Sequence, residues 1–331
     1  MSRFLKIVAI AGCVLGVTSQ TFAAEMSLTV PIDCDLTNDC SIQKYVDHDP
    51  GPDRRDYRCG TLSLDGDHGT DFRTRSYVEM YAGVKVLAAA DGIVRAIRDG
   101  IQDISVRSID SSSIEGREAG NAVVIDHGGG WQTQYSHLRR GSVGVVRGQA
   151  VKQGEPIGLV GLSGNTEFPH LEFSLRKDGK PVDPFVGDIQ HFECGSSTAP
   201  LWQESELVKM PYRATVLLSA GFSDEKPKPE KARRGRYNQS VFASDADKVL
   251  FWYDVSGVQE GDIESVVLLG PTGEALIRES TDHTKRNISW FGYAGVRRPP
   301  GGWPKGVYSA TIEFIRAGTP VVSATHSIEM Q

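Results

Sequence analysis

Short apolar runs alternate with glycine-marked turns through most of this chain, and the three-to-four-residue spacing of an amphipathic helix is almost absent. Between Cys59 and Pro184 the clearest runs cover 84–89, 93–97, 122–126, 131–135 and 157–160, and these read as strands. Turns fall at Asp91-Gly92, His127-Gly128-Gly129-Gly130 and Ser163-Gly164-Asn165. A second set of strands is expected over 214–219, 249–255, 263–269, 274–278, 287–291, 306–316 and 319–328. The last two flank Arg316-Ala317-Gly318-Thr319, which reads as a closing hairpin. Residues 26–58 are polar and read as a loop-rich lead-in; 108–120 reads as a surface loop. Residues 223–236 are rich in Lys, Glu and Pro and read as a charged loop inside the second set. The pattern predicts an all-β chain. Its expected parts are a lead-in over 24–58, a β-sandwich or barrel domain over 59–198 and a smaller Ig-like β-sandwich over 199–331.

Composition adds limits. The 331 residues, 39% of them hydrophobic, suffice for two cores. A net charge of −6 gives no basic footprint for nucleic acid. At the start, Arg3 and Lys6 precede an apolar run over 7–17 and small residues at Thr21, Ala23 and Ala24, so 1–23 reads as a secretory signal. The run is too short to span a bilayer, and no later stretch is apolar enough. Ile10-Ala11-Gly12-Cys13 mimics an acylation box, but too few apolar residues precede it, so a lipoprotein is not expected. The expected location is periplasmic or extracellular. Removing Arg3 and Lys6 takes the formal charge from −6 to about −8. Four cysteines then remain, Cys34, Cys40, Cys59 and Cys194, an even set for an exported chain. Of the three possible pairings, a local Cys34–Cys40 loop with a long-range Cys59–Cys194 staple is favoured. The spacings lack the CxxC pairs of a cysteine metal site.

Candidate chemistry lies in three stretches: Gly66-Asp67-His68-Gly69-Thr70-Asp71-Phe72, Tyr135-Ser136-His137-Leu138 and Pro169-His170-Leu171-Glu172-Phe173. In extended backbone, residues at even spacing share a face. Asp67 with Asp71, and His170 with Glu172, can therefore point together, whereas His68 points away unless Gly69 permits a turn. Elsewhere His127 reads as a hydrogen-bonded structural group, and His48 as a loop residue in preference to a minor metal contact. His191, His283 and His326 have no supporting neighbours.

The order of those stretches resembles the lysostaphin/LytM-type zinc metallopeptidases, which cut peptide cross-links in bacterial cell walls. Their signature is His-x-Gly-x-Asp, a later His-Leu pair and a final His-x-His. The resemblance covers roughly residues 60–184. It is supported by 86–94, 120–128, 134–138, 151–161, 163–166 and 176–184, which look like the family's strands and turns. It implies a duplicated hybrid-motif-like antiparallel β-sandwich with a groove for an extended peptide. Carried over, the metal set would be Asp67, Asp71 and Glu172, and the catalytic pair His137 and His170. Asp67 and Glu172 stand where the family has histidines. Three carboxylates suit calcium, magnesium or manganese better than zinc, and hold a bound water less acidic. A second arrangement keeps zinc on Asp71, His137 and His170 and leaves Glu172 as base. The expectation is an exported, non-catalytic member with no cofactor. Its partners would be peptidoglycan peptides, an envelope amidase or another envelope protein. The alternative is an active metallo-endopeptidase with an altered metal set.

Overall fold

Strand β9 (His170–Lys177) shows how this chain positions its chemistry. Leu171, Phe173 and Leu175 alternate with His170, Glu172 and Ser174, and the first three are at most 1% exposed. The period of two thus drives one face into the core and leaves the histidine and the carboxylate on the other. Burying each such side chain contributes roughly 1.5–3 kcal/mol.

The computed structural model describes residues 26–187, 193–196 and 198–331. The expected signal over 1–23, with Cys13, and His191 lie outside them. In chain order the first elements are β1 (Cys40–Lys44), β2 (Thr70–Thr74), α1 (Tyr77–Ala82), β3 (Lys85–Leu87), β4 (Gly92–Arg98), β5 (Asn121–Gly128) and β6 (Trp131–Leu138). After β7 (Ala150–Val151) and β8 (Pro156–Leu159) come β9 and β10 (Lys180–Val182). Seven strands run in the order β1-β2-β9-β6-β5-β4-β7, with β10 paired to β9; β3 and β8 pair separately. All these pairings are antiparallel.

Then follow α2 (Glu204–Leu207), β11 (Val216–Ser223), α3 (Pro229–Arg233), β12 (Val241–Phe242), β13 (Lys248–Val258), β14 (Ile263–Leu269), β15 (Ala275–Asp282), β16 (Asn287–Arg297), β17 (Gly306–Arg316) and β18 (Thr319–Met330). These form a three-stranded sheet, β11-β13-β16, and a five-stranded sheet, β12-β18-β17-β14-β15. Phe222, Phe251, Tyr308 and Phe314 are among the residues of the core that these strands share, separate from the core of the first strands.

The all-β expectation holds, and most expected strands stand within one to four residues of their observed ends. Three readings need correction. The lead-in is not mere loop: β1 pairs with β2, and Leu28, Ile32 and Tyr45 are at most 3% exposed within the first core. Its apolar positions are spaced too irregularly to announce this. The 223–236 stretch carries α3, which begins on a proline and contributes buried Ala232. Residues 108–120 are not uniformly surface loop, since Ile114 is buried in a 3₁₀ turn. Helix α1 has no counterpart among the expected elements although its signal is present. Ser76 caps the helix, Glu79 completes a capping box, and Gly83 ends it at φ 97°. Both favoured disulfides, Cys34–Cys40 and Cys59–Cys194, are formed.

Buried charge joins the two sets of strands. Arg233 grips Asp254 through two hydrogen bonds of 2.6 and 2.9 Å. Arg73 of β2 lies 4.0 Å from the same carboxylate and stacks 3.8 Å from the centre of the Phe168 ring. Arg73 and Asp254 are at most 1% exposed.

Candidate metal centre and its cleft

Strand register places the carboxylates. Asp71 lies directly opposite Glu172 in the β2–β9 pair, so both project from one face. Asp67 enters from the turn at Gly66 (φ 70°), and its Oδ1 accepts from Gly69 N at 3.1 Å. Glu172 packs over Gly69, where any Cβ would meet its Cγ at 2.8 Å. A side chain there would have to displace Glu172. The three carboxylates named from the sequence are therefore brought together.

The cation among them is one that no motif had announced. Lys44 Nζ lies 2.7 Å from Asp67 Oδ2 and 2.9 Å from Asp71 Oδ2. Burial alone would lower its pKa, but the charges of Asp71 and Asp67 outweigh burial and hold it above the ordinary lysine value. Burial pushes Asp71 up, with help from the Glu172 charge, against the pull of Lys44. Asp67 is likewise raised, by burial and by Asp71.

The two histidines complete the cluster, their ring centres 4.6 Å apart. His137 has a left-handed backbone (φ 64°), uncommon for a residue with a side chain. Its ring is fixed by Nδ1 at 2.7 Å from Ser163 O, with Nε2 3.2 Å from Glu172 Oε2. Burial pulls His137 down, yet the hydrogen bond and charge of Glu172 hold it above the ordinary imidazole value. Burial tends to raise Glu172, but His137 more than reverses this and brings it down to about 2. His170 Nε2 lies 3.5 Å from Asp71 Oδ2, and Nδ1 lies 3.0 Å from both Phe168 O and Thr166 Oγ1. Burial, then the His137 charge, push His170 well below its ordinary value. The two imidazoles are thus pushed in opposite directions, His137 up and His170 down.

These side chains open on a cleft of about 830 Å³. Gln134, Ser174 and Arg176 line it from β6 and β9, and Ile288 and Ser289 from β16. His68 also lines it and is exposed, apart from the ion-paired cluster. His127 is structural as expected, bound to Asp91 O and Thr133 Oγ1. The loop reading of His48 misses its buried partner, Asp183 Oδ2 at 2.7 Å. His283 does have a neighbour, Glu264 Oε2 at 3.0 Å.

A zinc centre of the family type does not fit these residues. Asp67 and Glu172 offer carboxylates where the resemblance would place imidazoles, and a protonated amine, which has no lone pair to coordinate, lies between Asp67 and Asp71. Among the described residues, no three or more His, Cys, Asp or Glu side chains are arranged to hold a metal ion.

Comparison with known proteins places part of this sequence in a family. Residues 68–184 match the description "Peptidase family M23". The peptidoglycan DD-endopeptidase ShyA of Vibrio cholerae is 34% identical over 122 residues, 37% of this chain and 23% of that protein. The murein hydrolase activator EnvC of Escherichia coli is 37% identical over 100 residues, 30% of this chain and 22% of that protein. The match thus spans under a quarter of either relative. A solved zinc-containing peptidase from Vibrio cholerae aligns with 43% of this chain and 38% of its own, at 29% identity and a TM-score of 0.28. Residues 68–184 are a peptidase family M23 domain of the lysostaphin/LytM type.

Proposed function

We propose that this is an exported cell-envelope protein whose M23 domain binds without hydrolysing. Its cleft would hold peptidoglycan peptides or a segment of an envelope hydrolase that it regulates. The reading takes 1–23 as an export signal, 59–198 as the binding domain and 199–331 as an Ig-like sandwich that adds to the surface. One observation carries it: the cation beside Asp67 and Asp71 is the Lys44 ammonium. An ammonium can neutralise carboxylates but cannot polarise a carbonyl as a Lewis acid or make a hydroxide from bound water. The relatives support both halves of the reading, one named an endopeptidase and another an activator. No helix among the described residues is long and apolar enough to cross a membrane.

The retained pair His137 and His170, with rings in contact, favours a second reading. There the protein is an endopeptidase with an altered metal set. Purified sacculi separate the two. The first reading predicts co-sedimentation of the protein with sacculi and no soluble muropeptides, and Arg176→Glu on the cleft floor weakens the co-sedimentation. Muropeptide release that is lost in His137→Ala establishes the second.

A further inference from the structure

We propose that Lys44 is a built-in counter-ion occupying a latent divalent-cation site, and that Asp67, Asp71 and Glu172 bind a hard cation once the ammonium is removed. This rests on the non-hydrolytic reading of the same site and extends it to how metal is kept out.

The delivery of Lys44 is a feature of the strand pairing. In β1 the register runs Ile42 opposite Phe72 and then Lys44 opposite Asp71, so Gln43 is skipped. Without that bulge Gln43 would face Asp71. With it, Lys44 takes the opposing position and its side chain projects from the face that bears the carboxylate. The displaced Gln43 amide is buried, and neither its Oε1 nor its Nε2 makes a hydrogen bond. A buried amide left unsatisfied is costly, so the arrangement that presents Lys44 carries a local cost the rest of the fold sustains. The segment after β1 is stitched to the carboxylate turn by Tyr45 N to Leu62 O and Asp47 N to Asp67 O, both 2.8 Å. These bonds fix where the ammonium can reach.

With Lys44 in place these side chains are not arranged around a metal ion, but the carboxylates call for a neutralising cation. Asp71 is 1% exposed, and its Oδ1 accepts no hydrogen bond. Asp71 and Glu172 oppose each other across the strands, which is unfavourable for like charges unless a cation intervenes. A divalent ion bound by carboxylate oxygens sits about 2.0–2.6 Å from them. Lys44 Nζ holds the same region at 2.7 and 2.9 Å. The two cannot share it, both sterically and because they repel. With the ammonium gone, the oxygen-rich donor set selects manganese or calcium ahead of zinc.

The test is manganese binding by full-length Lys44→Met, followed by electron paramagnetic resonance and by the shift in melting temperature. Lys44→Met is expected to bind one manganese at least about a hundredfold more tightly than the unmodified protein, since a unit charge has left the site. The melting temperature should rise with added manganese. Lys44→Arg keeps the charge and should bind no better than the unmodified protein. Adding Asp71→Asn to Lys44→Met should abolish the gain. Lys44→Gln, which keeps much of the length, serves if the methionine variant does not fold. A folded Lys44→Met or Lys44→Gln that binds no more tightly than the unmodified protein overturns the proposal. So does tight one-to-one manganese on the unmodified protein. Muropeptide release by the unmodified protein would instead sink the non-hydrolytic reading, and the manganese titration would still judge the counter-ion on its own.

Discussion

Glu172 and His137 stabilise each other as a hydrogen-bonded pair, and their titration should be visible in the protein's stability. Glu172 is held down to about 2, below its unfolded value of about 4.3. Its contribution is therefore present above that unfolded value and fades as the pH falls toward 2. His137 is held above its ordinary value, so its contribution is full below about 6.5 and is lost as the pH rises through the folded value. The pair should matter most between these limits. Glu172→Gln is expected to cost about 1.5–3 kcal/mol at pH 6, as for a hydrogen bond to a charged group. In urea unfolding the cost should shrink below pH 4 and be small at pH 2; a cost unchanged across that range contradicts the pairing. At this scale the sequence was legible where motif order spoke. Asp67, Asp71, His137, His170 and Glu172 do converge. Lys44 was not legible, because it lies 23 residues before Asp67 and reaches the site only through a bulge that no spacing rule registers.

Strands and turns carry two further expectations. The β17–β18 hairpin closes with Arg316 opposite Thr319, leaving Ala317 (φ 47°) and Gly318 (φ 81°) as a two-residue turn with positive φ at both positions. Such turns favour Asn-Gly, because alanine is strained in left-handed backbone. Ala317→Asn should therefore stabilise the protein by about 0.5–1 kcal/mol, read as a higher melting temperature. The disulfides should differ in weight. Chain entropy assigns about 2 kcal/mol to the Cys34–Cys40 loop and about 5 kcal/mol to the Cys59–Cys194 loop. Paired Cys→Ser variants measured in urea should follow that order; equal losses would contradict it. Most strands were legible because their apolar runs end at glycine turns. Strand β1 was hidden by its brevity and polar residues, and α1 by its six-residue length, although Ser76 and Glu79 marked its start.

The halves of the molecule meet on buried charge, which periodicity cannot reveal. Asp254 compensates Arg233 directly and Arg73 at longer range, so Asp254→Ala leaves the buried Arg73 and the part-buried Arg233 without their counter-charge. A loss of about 3–5 kcal/mol is expected in urea unfolding. Lys231→Ala, at the exposed Lys231–Glu225 pair, should change stability by less than about 1 kcal/mol. Comparable losses would mean the interface does not depend on Asp254. The same junction places Ile288 and Ser289 beside the cleft, so it shapes what the cleft can admit. The account as a whole turns on which cation neutralises the Asp67 and Asp71 carboxylates. Elemental analysis of the protein, purified without chelators, decides this most directly. The account predicts zinc far below one atom per chain, unchanged in Asp71→Asn. One zinc per chain, lost in Asp71→Asn, would contradict it.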